Sequence, residues 1–125
     1  MNENMFQNIF DKLQEVLPQK WDKIVFYASY FQGSYNMKYF IDLGDGEYKD
    51  CFSLGNIPNM QLMKLFMDIN KIISPIRDYL EEASKWNVIT MIIEADGNFK
   101  THFDYSAKND NFISYEKEWK KYYLG

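Results

Sequence analysis

The sequence holds one cysteine, one histidine, one arginine, three prolines and six glycines in 125 residues. Each scarcity closes a possibility. Cys51 can form no internal disulfide, and with His102 it supplies too few ligands for a structural zinc site. No basic N-terminal start leads into an apolar run, and no run approaches membrane-spanning length, so a soluble, cytoplasmic protein is expected. The glycines stand at turns and build no phosphate-cradling loop, and no Gly-x-Ser-x-Gly nucleophile turn is present. Positive charge is short as well. A net charge of −4 and a pI near 4.9 argue against sequence-independent nucleic-acid binding and suit a basic protein partner better. No metal and no cofactor is expected.

Aromatic residues are what the chain has in abundance. Ten Phe, ten Tyr and three Trp exclude disorder, and the length fits one domain, residues 1–125, with a real core. The clearest local pattern is Trp86–Tyr105. Phe99, Thr101, Phe103 and Tyr105 alternate with Asn98, Lys100, His102 and Asp104, the period of a strand with one wet face. Val88–Ala95 before it is apolar and β-branched, as a more deeply buried strand requires. A two-residue Asp-Gly turn would set Ile93 opposite Lys100 and mix the faces. A three-residue loop, Ala95-Asp96-Gly97, pairs Ile93 with Phe99 and Ile89 with Phe103, so it is the expected connection.

The remaining elements follow from periodicity. Phe6, Ile9, Phe10, Leu13, Val16 and Leu17 mark an amphipathic helix from about Glu3 to Leu17, stopped by Pro18. A strand is expected at about 22–31, a turn at Gln32-Gly33-Ser34, and a second strand to Leu43. Gly44-Asp45-Gly46 turns the chain into a shorter strand through Cys51 and Phe52. A helical period then runs to Ser84, with Asn59 as N-cap. Pro75 predicts a kink or break at Ser74, or a second helix capped by Ser74. After a polar link, Ser106–Asn111, a last helix carries Phe112, Tyr115, Trp119, Tyr122 and Tyr123. The order α-β-β-β-α-β-β-α with tight turns predicts an α+β domain. Its antiparallel five-stranded sheet would have helices covering one face.

Candidate chemistry is sparse. His102 shares a strand face with Lys100 and Asp104, so a small enzyme would have to use His102 and Asp104. Nothing in the sequence brings the only thiol near them, and a solvated polar face explains the pattern. The acidic group Asp42, Asp45, Glu47 and Asp50 lacks the spacing of a calcium loop and reads as a hairpin end able to meet a basic protein. Lys117, Lys120 and Lys121 alternate with Glu116 and Glu118 near a helix C-terminus, as a solvated face does. A binding module is the better expectation than an enzyme.

An ordered set of motifs resembles the YezG-like family of bacterial antitoxin or immunity proteins. It comprises Leu17-Pro18-x-x-Trp21 after a helix, a long helix with Phe66 and Ile76-Arg77, and Trp86 before a strand. Asp96-Gly97-Asn98-Phe99, Phe103-Asp104-Tyr105, Trp119 and a terminal Tyr123-Leu124-Gly125 complete it. Two segments depart from the family pattern: Pro75 interrupts a helix expected to be continuous, and Lys49–Asn56 matches poorly. The resemblance implies an immunity protein that neutralises a secreted polymorphic toxin. Such a toxin is typically a nuclease exported by a type VII-like system, and neutralisation is by stoichiometric binding in the cytoplasm. A secretion chaperone is the remaining alternative.

Overall fold

The strand Lys23–Phe31 (β1) is buried on both faces over most of its length, and this places it at the centre of the sheet. The structure is a computed structural model describing residues 3–31, 34–55, 57–81, 84–105 and 112–125. Before β1 comes helix Glu3–Leu13 (α1). After it come Ser34–Asp42 (β2), Tyr48–Asp50 (β3), helix Asn59–Asp78 (α2), Val88–Glu94 (β4), Phe99–Asp104 (β5) and helix Phe112–Leu124 (α3). The strands lie in the order β3-β2-β1-β4-β5, and every neighbouring pair is antiparallel. The fold is therefore the expected α+β arrangement with a five-stranded antiparallel sheet.

The β4–β5 hairpin has the expected register. Ile93 faces Phe99 and Ile89 faces Phe103 across the ladder. Glu94 N–H donates to Asn98 O at 2.8 Å and Gly97 N–H to Glu94 O at 2.9 Å, which closes the loop Ala95-Asp96-Gly97. Gly97 has φ of 91°, a left-handed conformation that a β-carbon would strain.

The helices do not cover one face, as the sequence had suggested; they divide between two. α1 and α2 bury Ile24, Phe26, Ala28, Met37, Tyr39, Ile41, Ile89, Met91 and Ile93 on one side. α3 lays Trp119, with Tyr115 and Tyr123, on Val25, Tyr27, Phe40 and Val88 on the other. Trp119 Nε1–H donates to Thr90 Oγ1 at 2.9 Å, so the one polar atom of that indole is satisfied in the second core.

Element ends differ from expectation for local reasons. α1 stops at Leu13, and Glu15 N–H to Lys12 O and Val16 N–H to Leu13 O, both 3.1 Å, make tighter i→i+3 turns ahead of Pro18. Pro58, not Asn59, is the N-cap of α2; its φ of −57° and ψ of 140° are extended, and its carbonyl accepts from Gln61 and Leu62 N–H. Pro75 neither breaks α2 nor starts a second helix. Pro75 and Lys71, whose carbonyl loses a partner, are both exposed, where water can satisfy the carbonyl. β3 ends at Asp50, whose Oδ1 accepts from Phe52 N–H at 2.8 Å and turns the chain away. Gln32 and Gly33 of the expected β1–β2 turn, Asn56 and the link Ser106–Asn111 lie outside the described residues.

Candidate functional site

The hairpin end between β2 and β3 is built by its own carboxylates. Asp42 is only 6% exposed, and its Oδ1 accepts from Gly44 N–H at 2.8 Å and Gly46 N–H at 3.1 Å. Those two glycines have φ of 117° and 82°, so the carboxylate fixes a turn that needs left-handed residues. Asp45 is exposed; its Oδ1 accepts from Glu47 N–H and its Oδ2 lies 3.0 Å from Lys49 Nζ. The backbone hydrogen bond from Glu47, and then Lys49, hold the Asp45 carboxyl below its ordinary pKa, while Asp45 raises that of Lys49. Glu47 is exposed. Asp50 caps the end of β3 and pairs with Lys38 at 3.6 Å. The four predicted residues thus share one hairpin but divide in role. Asp42 and Asp50 organise backbone, whereas Asp45 and Glu47 project charge.

Sheet register enlarges this acidic end. Lys23 stands opposite both Asp42 and Glu94, and Asp22 N–H donates to Asp42 O while Ala95 N–H donates to Asp22 O. The β2–β3 turn, the start of β1 and the β4–β5 loop therefore meet at one end of the sheet. Asp22, Glu94 and Asp96, all exposed, join Asp45 and Glu47 there, with Lys23 and Lys49 interspersed. The hairpin register legible in the sequence was the signal for Glu94 and Asp96. Asp22 required knowing that β1 lies between β2 and β4.

His102 is exposed on β5, its ring 5.9 Å from that of Tyr123. Asp104, on the same strand face, takes the hydroxyl hydrogen bond of Tyr115, whose pKa is raised by burial first and then by that carboxylate. An open groove between β5 and α3 is lined by these residues with Thr90, Trp119 and Tyr123. Cys51 is buried in the other core, at the β3 end of the sheet, so the thiol and the imidazole are on opposite faces and opposite edges. Lys117, Lys120 and Lys121 are exposed along α3. Among the described residues, no helix is long and apolar enough to cross a membrane.

No curated protein matches the chain significantly in sequence. The family model described as Immunity protein YezG-like matches residues 2–125. That match spans the helix preceding Pro18-x-x-Trp21, the unbroken α2, all five strands and the Trp119 helix, and it supports an immunity role: the chain belongs to the YezG-like immunity protein family.

Proposed function

We propose that this protein is a single-domain cytoplasmic antitoxin that binds a cognate secreted toxin one to one and blocks it without catalysis. The toxin is proposed to be a nuclease domain of a polymorphic toxin exported by a type VII-like system. Family membership over residues 2–125 is the observation that carries this reading.

The acidic sheet end supports the choice of partner. A nuclease carries a basic cleft to hold phosphates, and carboxylates arranged on a rigid frame attract and orient such a surface. In this proposal Asp45 and Glu47 make the encounter, Asp42 and Asp50 hold the turn that presents them, and Asp22, Glu94 and Asp96 widen the field. Neutralisation then follows from occupying or distorting the toxin domain, with no cofactor and no chemical step.

Co-expression with the cognate toxin domain tests the proposal. Restored growth and a co-purifying one-to-one complex are expected. Turnover of nucleic acid, phosphate ester or peptide substrates by the purified protein, lost in His102→Ala, would instead establish an enzyme built on His102 and Asp104.

A further inference from the structure

The fold sorts the methionines into two sets. Met5, Met37 and Met91 are at most 4% exposed, in the core that α1 and α2 cover. Met60, Met63 and Met67 are 83%, 58% and 53% exposed, and all three belong to α2. Met1 lies outside the described residues. With 3.6 residues to a helical turn, the three exposed positions fall within an arc of about 60°.

The other side of α2 does the packing. Leu62, Leu65, Phe66, Ile69 and Ile73 are buried there and hold the helix in the core. The stripe that carries the exposed thioethers fills no core position, so its chemistry can change without opening a cavity. Lys64 and Lys71 are exposed in the same stripe. Lys64 comes four residues after Met60 and three before Met67, and Lys71 comes four after Met67. Each of those two methionines thus has a lysine one turn away on its own face. Lys71 Nζ is 3.9 Å from Asp68, which leaves ammonium donors to spare.

We propose that Met60, Met63 and Met67 form a methionine-oxidation site that takes hydroperoxides and leaves the fold intact. The thioether sulfur gives an electron pair to one peroxide oxygen, and the O–O bond breaks. The proton on the transferred oxygen passes to the departing one. With hydrogen peroxide the products are a sulfoxide and water, sulfur being oxidised and peroxide reduced. Oxidation turns a flexible apolar side chain into a polar one. On this stripe the new oxygen meets water and the lysine ammoniums. At Met5, Met37 or Met91 it would enter the core, and the oxidant could reach those sulfurs only after the chain opens. The outer face of α2 therefore changes from apolar to polar while the packed face stays as it was, and sulfoxide reductases can reverse the change.

Hydrogen peroxide treatment of the full chain tests this, read by site-resolved peptide mass spectrometry and circular dichroism melts. Met60, Met63 and Met67 should each gain one oxygen about tenfold or more faster than Met5, Met37 and Met91. The triply oxidised protein should melt as the untreated one does. The two methionine sulfoxide reductases, one for each epimer, should together restore the starting mass. In urea above the unfolding midpoint the two sets should react at similar rates, because burial alone separates them. Comparable rates at Met37 or Met91 in the folded protein overturn the proposal. So does loss of the fold as the three sites gain oxygen, or a rate difference that persists after unfolding. No toxin enters these measurements, so the immunity proposal stands or falls on its own result.

Discussion

Trp119 and Thr90 are joined by a buried 2.9 Å hydrogen bond that fastens α3 to β4 on the sheet face opposite α1 and α2. The Trp119 ring also packs 4.7 Å from Tyr27, 5.6 Å from Phe40 and 5.2 Å from Tyr123. Thr90→Val keeps the side-chain volume and removes the acceptor, leaving a buried indole N–H unpaired. We expect a loss of about 1–3 kcal/mol by denaturant unfolding. Trp119→Phe, which removes the donor as well as part of the ring, should combine with Thr90→Val less than additively.

Trp86 is fully buried, 5.5 Å from Phe103 and 5.7 Å from Tyr30. Arg77, the only arginine, lies over the Tyr30 and Trp86 rings and donates through Nε to Trp86 O at 2.8 Å. Trp86→Ala should cost on the order of 3–5 kcal/mol, and Phe103→Ala, which is less buried, should cost less. Circular dichroism melts check this. A Phe103→Ala protein that melts like the wild type would show that the strand face contributes little to stability.

The acidic hairpin separates into two testable groups. Asp42→Ala should destabilise by about 1–2 kcal/mol, because Gly44 and Gly46 N–H lose their shared acceptor. Asp45→Lys with Glu47→Lys should leave the protein folded and should cost less stability than Asp42→Ala, since both side chains are exposed. The same pair should slow association with a basic toxin domain and flatten its salt dependence, as screening acts beyond roughly 8 Å at physiological salt. Stopped-flow kinetics at two salt concentrations read both effects. Unchanged association rates would move the interface elsewhere.

Alkaline pH should weaken the fold, beginning where Cys51 of the unfolded chain loses its proton. Burial pushes the Cys51 thiol from its ordinary value of 9.0 up to about 12. Burial likewise raises Tyr27, Tyr30 and Tyr39. A raised pKa in the folded state means that the unfolded chain loses its proton first. Stability is then complete below pH 9 and falls as pH climbs toward 12. Urea midpoints measured across this range should decline, and Cys51→Ala should remove the earliest part of the decline. Thiol reagents should label Cys51 at the rate of unfolding.

The parts of the fold legible in the sequence were those governed by local alternation. Phe99-x-x-x-Phe103 against Ile93 and Ile89 admits one register, because a slip of one residue would expose the aromatics. The division of the helices was harder to see. Tyr115, Trp119 and Tyr123 carry polar atoms, and a helix bearing them reads as a surface helix. The available signal lay in the strands: Val25 and Tyr27 on β1 are as apolar as Ile24 and Phe26, so both faces of that strand needed cover. Whether Pro75 ends the helix was not legible, because its exposure, which makes it tolerable inside α2, is a property of tertiary position. Among the candidate residues, Asp42 looked like surface charge because aspartate usually is. Its burial follows from two left-handed glycines whose N–H groups needed an acceptor.

In the proposed role the protein protects a cell by binding a toxin. Co-expression of the wild-type chain with its cognate toxin domain, scored by colony growth, tests this most directly. Growth restored to the level of a toxin-free control, with a one-to-one complex recovered from those cells, is the predicted result. Cells that die although both proteins accumulate in soluble form would contradict it.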